Sequence, residues 1–281
     1  MKRFPNTFSA LVILQCCLVL FGGRDSLVAA QTPYKQIAVI NGGSIEGTVV
    51  LSGPAATKSM LEVTKDEKVC GRSKPAASLT VGSNKGVQNA VVFLEEVAAG
   101  KQWKRAATPV LVQRSCEYSP HVSVIPAGSS LEIVNDDPLL HNVHLYNFSS
   151  TDQTICNIAQ PVKGQRTNVD QLQSVKSRFL HATCDAGHPW MSAYIVRAEN
   201  PYYAVTDAKG RFRLDDVPPG LYQLKMWHEG VKVVKTLSEN GKVSKYYFED
   251  PYTTTVEVVV PPHGTVRADF DLVLREHTGS S

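Results

Sequence analysis

From residue 36 onward the chain is written in short β-branched runs cut at close intervals by Gly, Pro, Asn and Asp, which leaves room for little but sheets. Ser44-Ile45-Glu46-Gly47-Thr48-Val49-Val50-Leu51 is one such run and breaks at Gly53-Pro54. Asn89-Ala90-Val91-Val92-Phe93-Leu94 is a second. His121 to Ile125 alternates, turns at Pro126-Ala127-Gly128 and resumes as Leu131-Glu132-Ile133-Val134. Short strands with this punctuation suggest β-sandwiches, so the expected fold class is all-β. Two stretches, 58–70 and 169–175, are candidates for helix, although neither carries a clean apolar stripe.

The ends and the charge balance bound the rest. Lys2 and Arg3 precede an apolar run from Ala10 to Phe21, and Val28-Ala29-Ala30 has the small residues of a cleavage site. That pattern predicts a secretory leader, a mature start near Gln31, and a periplasmic or secreted location. The apolar run is shorter than the ~20 residues that span a bilayer, so no membrane span is expected, and Gln15 before Cys16 argues against a lipid anchor. Without residues 1–30 the charges number 26 basic (29 less Lys2, Arg3 and Arg24) against 25 acidic (26 less Asp25). No charge argument for nucleic acid remains. The tail after Glu276 reads as disordered.

Six cysteines become four on cleavage: Cys70, Cys116, Cys156 and Cys184. An exported chain meets an oxidising compartment, where disulfides persist. If Cys184 serves a metal, one of the other three stays unpaired, and the expected pairing is Cys70–Cys116 with Cys156 a buried free thiol. Four structural cysteines in two disulfides is the competing arrangement, and the sequence does not choose between them.

The last third of the chain has its own signature. Ala204-Val205-Thr206-Asp207-Ala208-Lys209-Gly210-Arg211-Phe212 reads strand, tight turn, strand; Pro218-Pro219-Gly220 makes the next turn, where Pro presets φ and Gly tolerates positive φ. Strands at Thr253–Val260 and Thr265–Leu274 follow. This third resembles the carboxypeptidase regulatory-like, transthyretin-type sandwich. The opening strands of that family, Gly-x-Ile-x-Gly-x-Val and Ala-x-Val-x-Leu, are matched far upstream by Gly43–Val49 and Ala90–Leu94. The resemblance therefore implies a discontinuous sandwich, residues 31–107 plus 200–276, with 108–199 inserted in it. Domains in simple series are the alternative.

The inserted stretch carries the chemistry. Cys184-Asp185-Ala186-Gly187-His188-Pro189-Trp190-Met191 places a thiolate, an imidazole and a thioether in the order Cys-x3-His-x2-Met. Asn135-Asp136-Asp137-Pro138-Leu139-Leu140-His141-Asn142-Val143 offers a second imidazole upstream. Two His, one Cys and a Met are the ligands of a blue copper site, in which soft sulfur holds Cu(I) and imidazole suits both oxidation states. His141 and His144 stand three apart in an extended run and face opposite ways, so they are not expected to share a metal; His144 is left to support the site or face solvent. The segment 108–199 resembles a cupredoxin of the plastocyanin and amicyanin branch, a Greek-key sandwich. Its amicyanin-like pattern has His-Asn-Val-His and Cys-x2-His-Pro-Phe-Met; this chain has one more residue between Cys and His and Trp for Phe. The resemblance implies one type 1 copper per chain held by His141, Cys184, His188 and Met191. It also implies that Asn142 ties the His141 strand to the Cys184 loop.

The expected function is one-electron transfer, through the exposed edge of His188, to an unidentified protein redox partner docking on an apolar patch. Trp190 reads as an apolar cap near the metal or as part of that docking patch, with ordinary packing an equal alternative. An enzyme is not expected. A dinuclear copper centre would need a cysteine at Leu180, a copper nitrite reductase a histidine at Thr183, and a multicopper oxidase His-x-His pairs that are missing. Two other readings stand beside the carrier. One is a metal-free, degenerate cupredoxin on a structural sandwich that contacts carbohydrate or a partner. The other is copper storage or delivery, against which the chain offers only four Met in all.

Overall fold

The computed structural model describes residues 33–53, 59–104, 108–148 and 153–275. The leader, its cleavage site and the tail after Glu276 lie outside the described residues. The described chain is all-β, with two sandwiches inside one compact unit. Among the described residues no helix is long and apolar enough to cross a membrane.

One sandwich is assembled from both ends of the chain. Its first sheet runs Tyr203–Val205, Val91–Leu94, Gly220–His228, Tyr252–Val260; its second centres on Gly43–Ser52. That central strand pairs antiparallel with Arg211–Val217 and parallel with Thr265–Arg267 and Phe270–Val273. Alternate residues of Gly43–Ser52 are buried, as a strand with one covered face requires. Ile45, Val49 and Leu51 meet Leu224, Met226, Phe212 and Phe270 in the core. Gly47 is needed for close approach, because a Cβ there would stand 1.7 Å from the carbonyl oxygen of Ala268.

The other sandwich is one continuous stretch. Glu117–Ser119, Val110–Arg114, Leu131–Asn135 and Arg166–Val169 form one sheet. Val122–Pro126, Ser192–Ala198, Phe179–Thr183, His141–Asn147 and Thr154–Gln160 form the second. Leu111, Ile133, Val143, Leu145, Leu180 and Ile195 fill the space between them. The strand His141–Asn147 lies between Thr154–Gln160 and Phe179–Thr183, with His144 opposite Thr183. Both motif segments thus leave neighbouring strands of one sheet.

The strand Val91–Leu94 is buried on both faces, which accounts for its unbroken apolar run. Val92 and Leu94 face the first core, while Val91 and Phe93 pack with Val122, Tyr194, Val196 and Trp227 between the sandwiches. Phe93 stacks on Tyr203 at 4.8 Å and Phe179 on Trp227 at 4.6 Å.

Both helix candidates come out short, and one hairpin is new. Among the described residues of 58–70 only Glu67–Cys70 is α-helical, and Met60–Glu62 is a strand paired with Ser73–Pro75. Asp170–Ser174 is a 3-10 helix. Between Gly220–His228 and Tyr252–Val260 the chain makes an additional hairpin, Val233–Glu239 with Lys242–Phe248. Leu61, Val63, Cys70 and Ala76 join the core of the continuous sandwich, and Val233, Tyr246 and Phe248 pack against it. Two excursions from the first sandwich therefore reach across to the second.

Candidate metal centre

The strand that starts at His141 and the turn that follows Thr183 lie side by side, so their first side chains converge. Donor atoms of His141, Cys184 and His188 all lie within 4.8 Å of one another, and the three residues are 0 %, 2 % and 0 % exposed. Cys184 Sγ stands 3.6 Å from His188 Nδ1. The two imidazole rings meet edge to face at 4.7 Å. The Cys184–His188 turn closes through Gly187 at φ 89°, a left-handed conformation that glycine adopts without a Cβ penalty. A Cβ on Gly187 would also press within 2.8 Å of Lys65 Cδ.

Each imidazole is held from behind by a carboxylate. His141 Nε2 faces Asp137 Oδ2 at 2.8 Å, and His188 Nε2 faces Asp66 Oδ2 at 2.9 Å. An ionised carboxylate only accepts, so both Nε2 atoms carry their protons and both Nδ1 atoms keep free lone pairs aimed inward. Asp137 is itself fixed by the backbone N–H groups of Ser115 and Cys116 at 2.7 and 2.8 Å. These bonds, with the His141 contact, outweigh burial and keep its carboxyl below the usual carboxylate range. His141 Nδ1 is buried with no hydrogen-bond partner. A buried acceptor without a partner costs free energy, about 1–3 kcal/mol, unless something else occupies its lone pair.

Burial sets the protonation of the metal-free site. It pushes His188 down to about 4, helped by the neighbouring His141 and opposed by Asp66. It also lowers His141, against the pull of Asp137, and it raises the Cys184 thiol. Two neutral imidazoles and a neutral thiol are the result, and a metal ion would displace one proton, from Cys184.

Asn142 joins strand and turn. Its Oδ1 accepts from the Ala186 N–H at 2.7 Å and from the Cys184 thiol at 3.3 Å, and its Nδ2 donates to Asn157 Oδ1 at 2.6 Å. The Tyr118 hydroxyl reaches the carbonyls of Asn142 and Thr183 at 2.6 and 3.0 Å, bridging the same two strands. Met191, whose N–H donates to the His188 carbonyl at 3.0 Å, is buried in the same core as Cys184. His144 turns away from His141 and bonds Asp185 and Thr154.

Burial decides two expectations about the surface. Trp190 is 6 % exposed, its ring meets His188 edge to face at 5.2 Å and its indole N–H donates to the Cys116 carbonyl at 3.0 Å; it caps the site from inside, as one of its two readings has it, and offers no face for docking. His188 has no exposed edge, because Asp66 and its neighbours cover it. The cysteines fall out as expected: Cys70–Cys116 is a disulfide, and Cys156 and Cys184 are buried free thiols. The sequence reading missed both carboxylates. Asp137 had a local signal, standing four residues before His141. Asp66 had none, standing 122 residues from its partner. The remaining buried histidines serve elsewhere: His121 pairs with Glu229, His181 sits between Tyr146 and Ser192, and His228 bonds the Glu229 carbonyl.

No protein-family model and no curated protein matches the chain. Among solved structures, a reduced amicyanin variant aligns with 32 % of this chain and 82 % of its own, at 16 % identity and TM-score 0.28. A purple cupredoxin from Nitrosopumilus maritimus aligns with 32 % of this chain and 99 % of its own, at 20 % identity and TM-score 0.25. A copper-containing nitrite reductase from Thermus scotoductus aligns with 37 % of this chain and 25 % of its own, at 20 % identity and TM-score 0.27. These scores are too low to carry an argument, so the reading of the site rests on its own donor set.

Proposed function

We propose that the protein is an exported one-electron carrier that holds one type 1 copper per chain through His141, Cys184, His188 and Met191. The observation that carries this reading is His141 Nδ1, buried and unpartnered, facing a thiol and a second imidazole whose outer nitrogen is already committed to a carboxylate. A metal-free protein would leave that lone pair unsatisfied at a cost, which speaks against a degenerate site. Copper bound there supplies a Cu(II)/Cu(I) couple.

The residues do the rest. Asp137 and Asp66 fix the tautomer and the pitch of each ring, and Asn142 fixes the Cys184 turn, so neither oxidation state requires the donors to move. With all three donors buried, no position is left open for a substrate, which favours outer-sphere transfer to a protein partner over an enzyme. Met191 would supply the weak thioether donor in this reading, and Met191→Leu should keep the copper and raise its potential. We also read residues 31–107 and 200–276 as one domain of carboxypeptidase regulatory-like type interrupted by 108–199, on the strength of the pairing between Gly43–Ser52 and Arg211–Val217.

Copper titration followed by visible absorption tests the carrier. Saturation at one Cu(II) per chain with an intense thiolate-to-copper band is expected. A colourless protein at saturating copper would sink the proposal.

A further inference from the structure

We propose that Asp66 is the positioning residue for His188, and that residues 60–75 form a pinned sheath that closes the outer edge of this ligand. The inference rests on the copper-carrier reading above and adds a part that the ligand motifs do not contain.

The first observation is what Asp66 does not do. It stands at the N-terminal cap of Glu67–Cys70, where an Asp side chain ordinarily accepts a backbone N–H of the helix. It makes no such bond. Its carboxylate turns instead to His188 Nε2, across 122 positions of sequence. The second observation is its backbone. Asp66 has φ 56° and ψ 36°, the left-handed region that Asp and Asn visit more readily than other residues with a Cβ, and that conformation sets its side chain off the helix end.

The third observation is how firmly the segment is held. Lys65 Nζ donates to the Ala186 carbonyl at 2.9 Å, over the turn between the two ligands. The Tyr246 hydroxyl accepts from the Glu62 N–H at 3.1 Å, and Lys242 Nζ reaches the Thr64 carbonyl at 3.2 Å, so the additional hairpin braces the sheath. Cys70, four residues after Asp66, is joined to Cys116. The N–H of Cys116 is one of the two that fix Asp137, and Asp137 holds the other histidine. A single disulfide therefore links the supports of both imidazoles. His188 is fully buried while the Asp66 side chain is 35 % exposed, so the carboxylate, and not the imidazole, is what a partner meets.

Electron exchange through the His188 edge is then limited by the sheath. Three forms of the whole protein separate the roles: wild type, Asp66→Asn and Asp66→Gly. Asn keeps an oxygen acceptor and tolerates left-handed backbone; Gly removes the acceptor and relaxes the backbone, so neither change strains the fold. In metal-free protein labelled with 15N-histidine, the His188 ring N–H should give a resonance protected from solvent in wild type and Asp66→Asn. In Asp66→Gly it should exchange at least tenfold faster. With copper bound, Asp66→Gly should raise the electron self-exchange rate at least tenfold and alter the EPR hyperfine pattern, with Asp66→Asn close to wild type. Equal ring N–H exchange in wild type and Asp66→Gly, or equal self-exchange, overturns the proposal. A colourless wild type with a protected ring N–H overturns the carrier reading instead, and the two failures are told apart by the metal-free spectrum.

Discussion

The two sandwiches divide the site between them in an unequal way. The continuous one supplies all the donors, along with Asp137 and Asn142, within strands and turns that are neighbours in one sheet. The interrupted one supplies no donor, yet one of its excursions, residues 60–75, reaches the outer side of His188, and the hairpin 233–248 braces that excursion. His141 is consequently held by its own sandwich and His188 by the other. The difference teaches that a ligand set and its enclosure need not come from the same fold. On the proposed reading it also gives the interrupted sandwich a part in enclosing His188.

The largest effects should separate the two regions outright. Cys184→Ser should abolish the thiolate band while the fold persists, because the change removes the soft donor from a site that no strand pairing depends on. Circular dichroism together with visible absorption checks both halves. Cut from the rest, residues 200–281 should show no cooperative thermal transition, since Gly43–Ser52 and Val91–Leu94 complete both of their sheets. A dispersed amide spectrum from that piece alone would show the division into an interrupted and a continuous sandwich to be wrong.

Core truncations come next in size. Leu145→Ala and Leu224→Ala each empty a fully buried position, one in each core, and each should cost about 2–5 kcal/mol. Denaturant curves followed by intrinsic fluorescence should keep a single transition in both, because Phe93, Phe179, Tyr194 and Trp227 pack the sandwiches together. Two resolved transitions would show that the regions are thermodynamically independent.

Smaller again is the loss of one support. Asp137→Ala should weaken copper by roughly 10–100-fold, the usual effect of removing a hydrogen-bonded partner of a ligating histidine. Competition with a chelator measures it. The comparison is sharpened if Asp66→Gly weakens copper less than Asp137→Ala does, because Asp137 is buried whereas the Asp66 side chain is partly open to solvent.

What the sequence made legible follows this same division. Cys184, His188 and Met191 fall within one turn and His141 heads an adjacent strand, so their relation is local and their spacing could be read. The alternation that put His141 and His144 on opposite faces is seen in the fold, and the Asn142 side chain bonds the Cys184 turn as the resemblance implied. Asp66 was illegible because its partner lies a whole sandwich away and a single Asp before a short helix carries no periodicity. The hairpin 233–248 escaped for a related reason: Val233–Glu239 is exposed along almost its whole length, so it lacks the buried alternation that marks a strand. For Trp190 the cap reading holds and the docking reading does not, because sequence does not reveal that Cys116 offers its carbonyl from beneath.

The pH dependence should be the most graded effect. Burial lowers His181 to about 3 and His188 to about 4. The unfolded chain takes up these protons near pH 6.5, whereas the fold resists them until its own lower values. Metal-free stability should therefore fall as pH drops from about 6.5 towards 4, by up to about 1.4 kcal/mol per pH unit for each group. His121, buried between the sandwiches, works in the opposite sense: burial lowers it, but the Glu229 carboxylate outweighs that and raises it. Its contribution is complete below about pH 6.5 and is lost as pH rises through its folded value. Thermal melts from pH 4 to 8 should show the acid loss clearly and the alkaline loss weakly. A flat profile below pH 6.5 would mean that these imidazoles are not held neutral.

The EPR spectrum of the Cu(II)-loaded protein tests the central claim most directly. Thiolate bonding at Cys184 with imidazole nitrogen from His141 and His188 predicts one signal per chain with a narrow parallel hyperfine splitting, lost in Cys184→Ser. A wide splitting of the tetragonal nitrogen and oxygen kind, unchanged by Cys184→Ser, would contradict it.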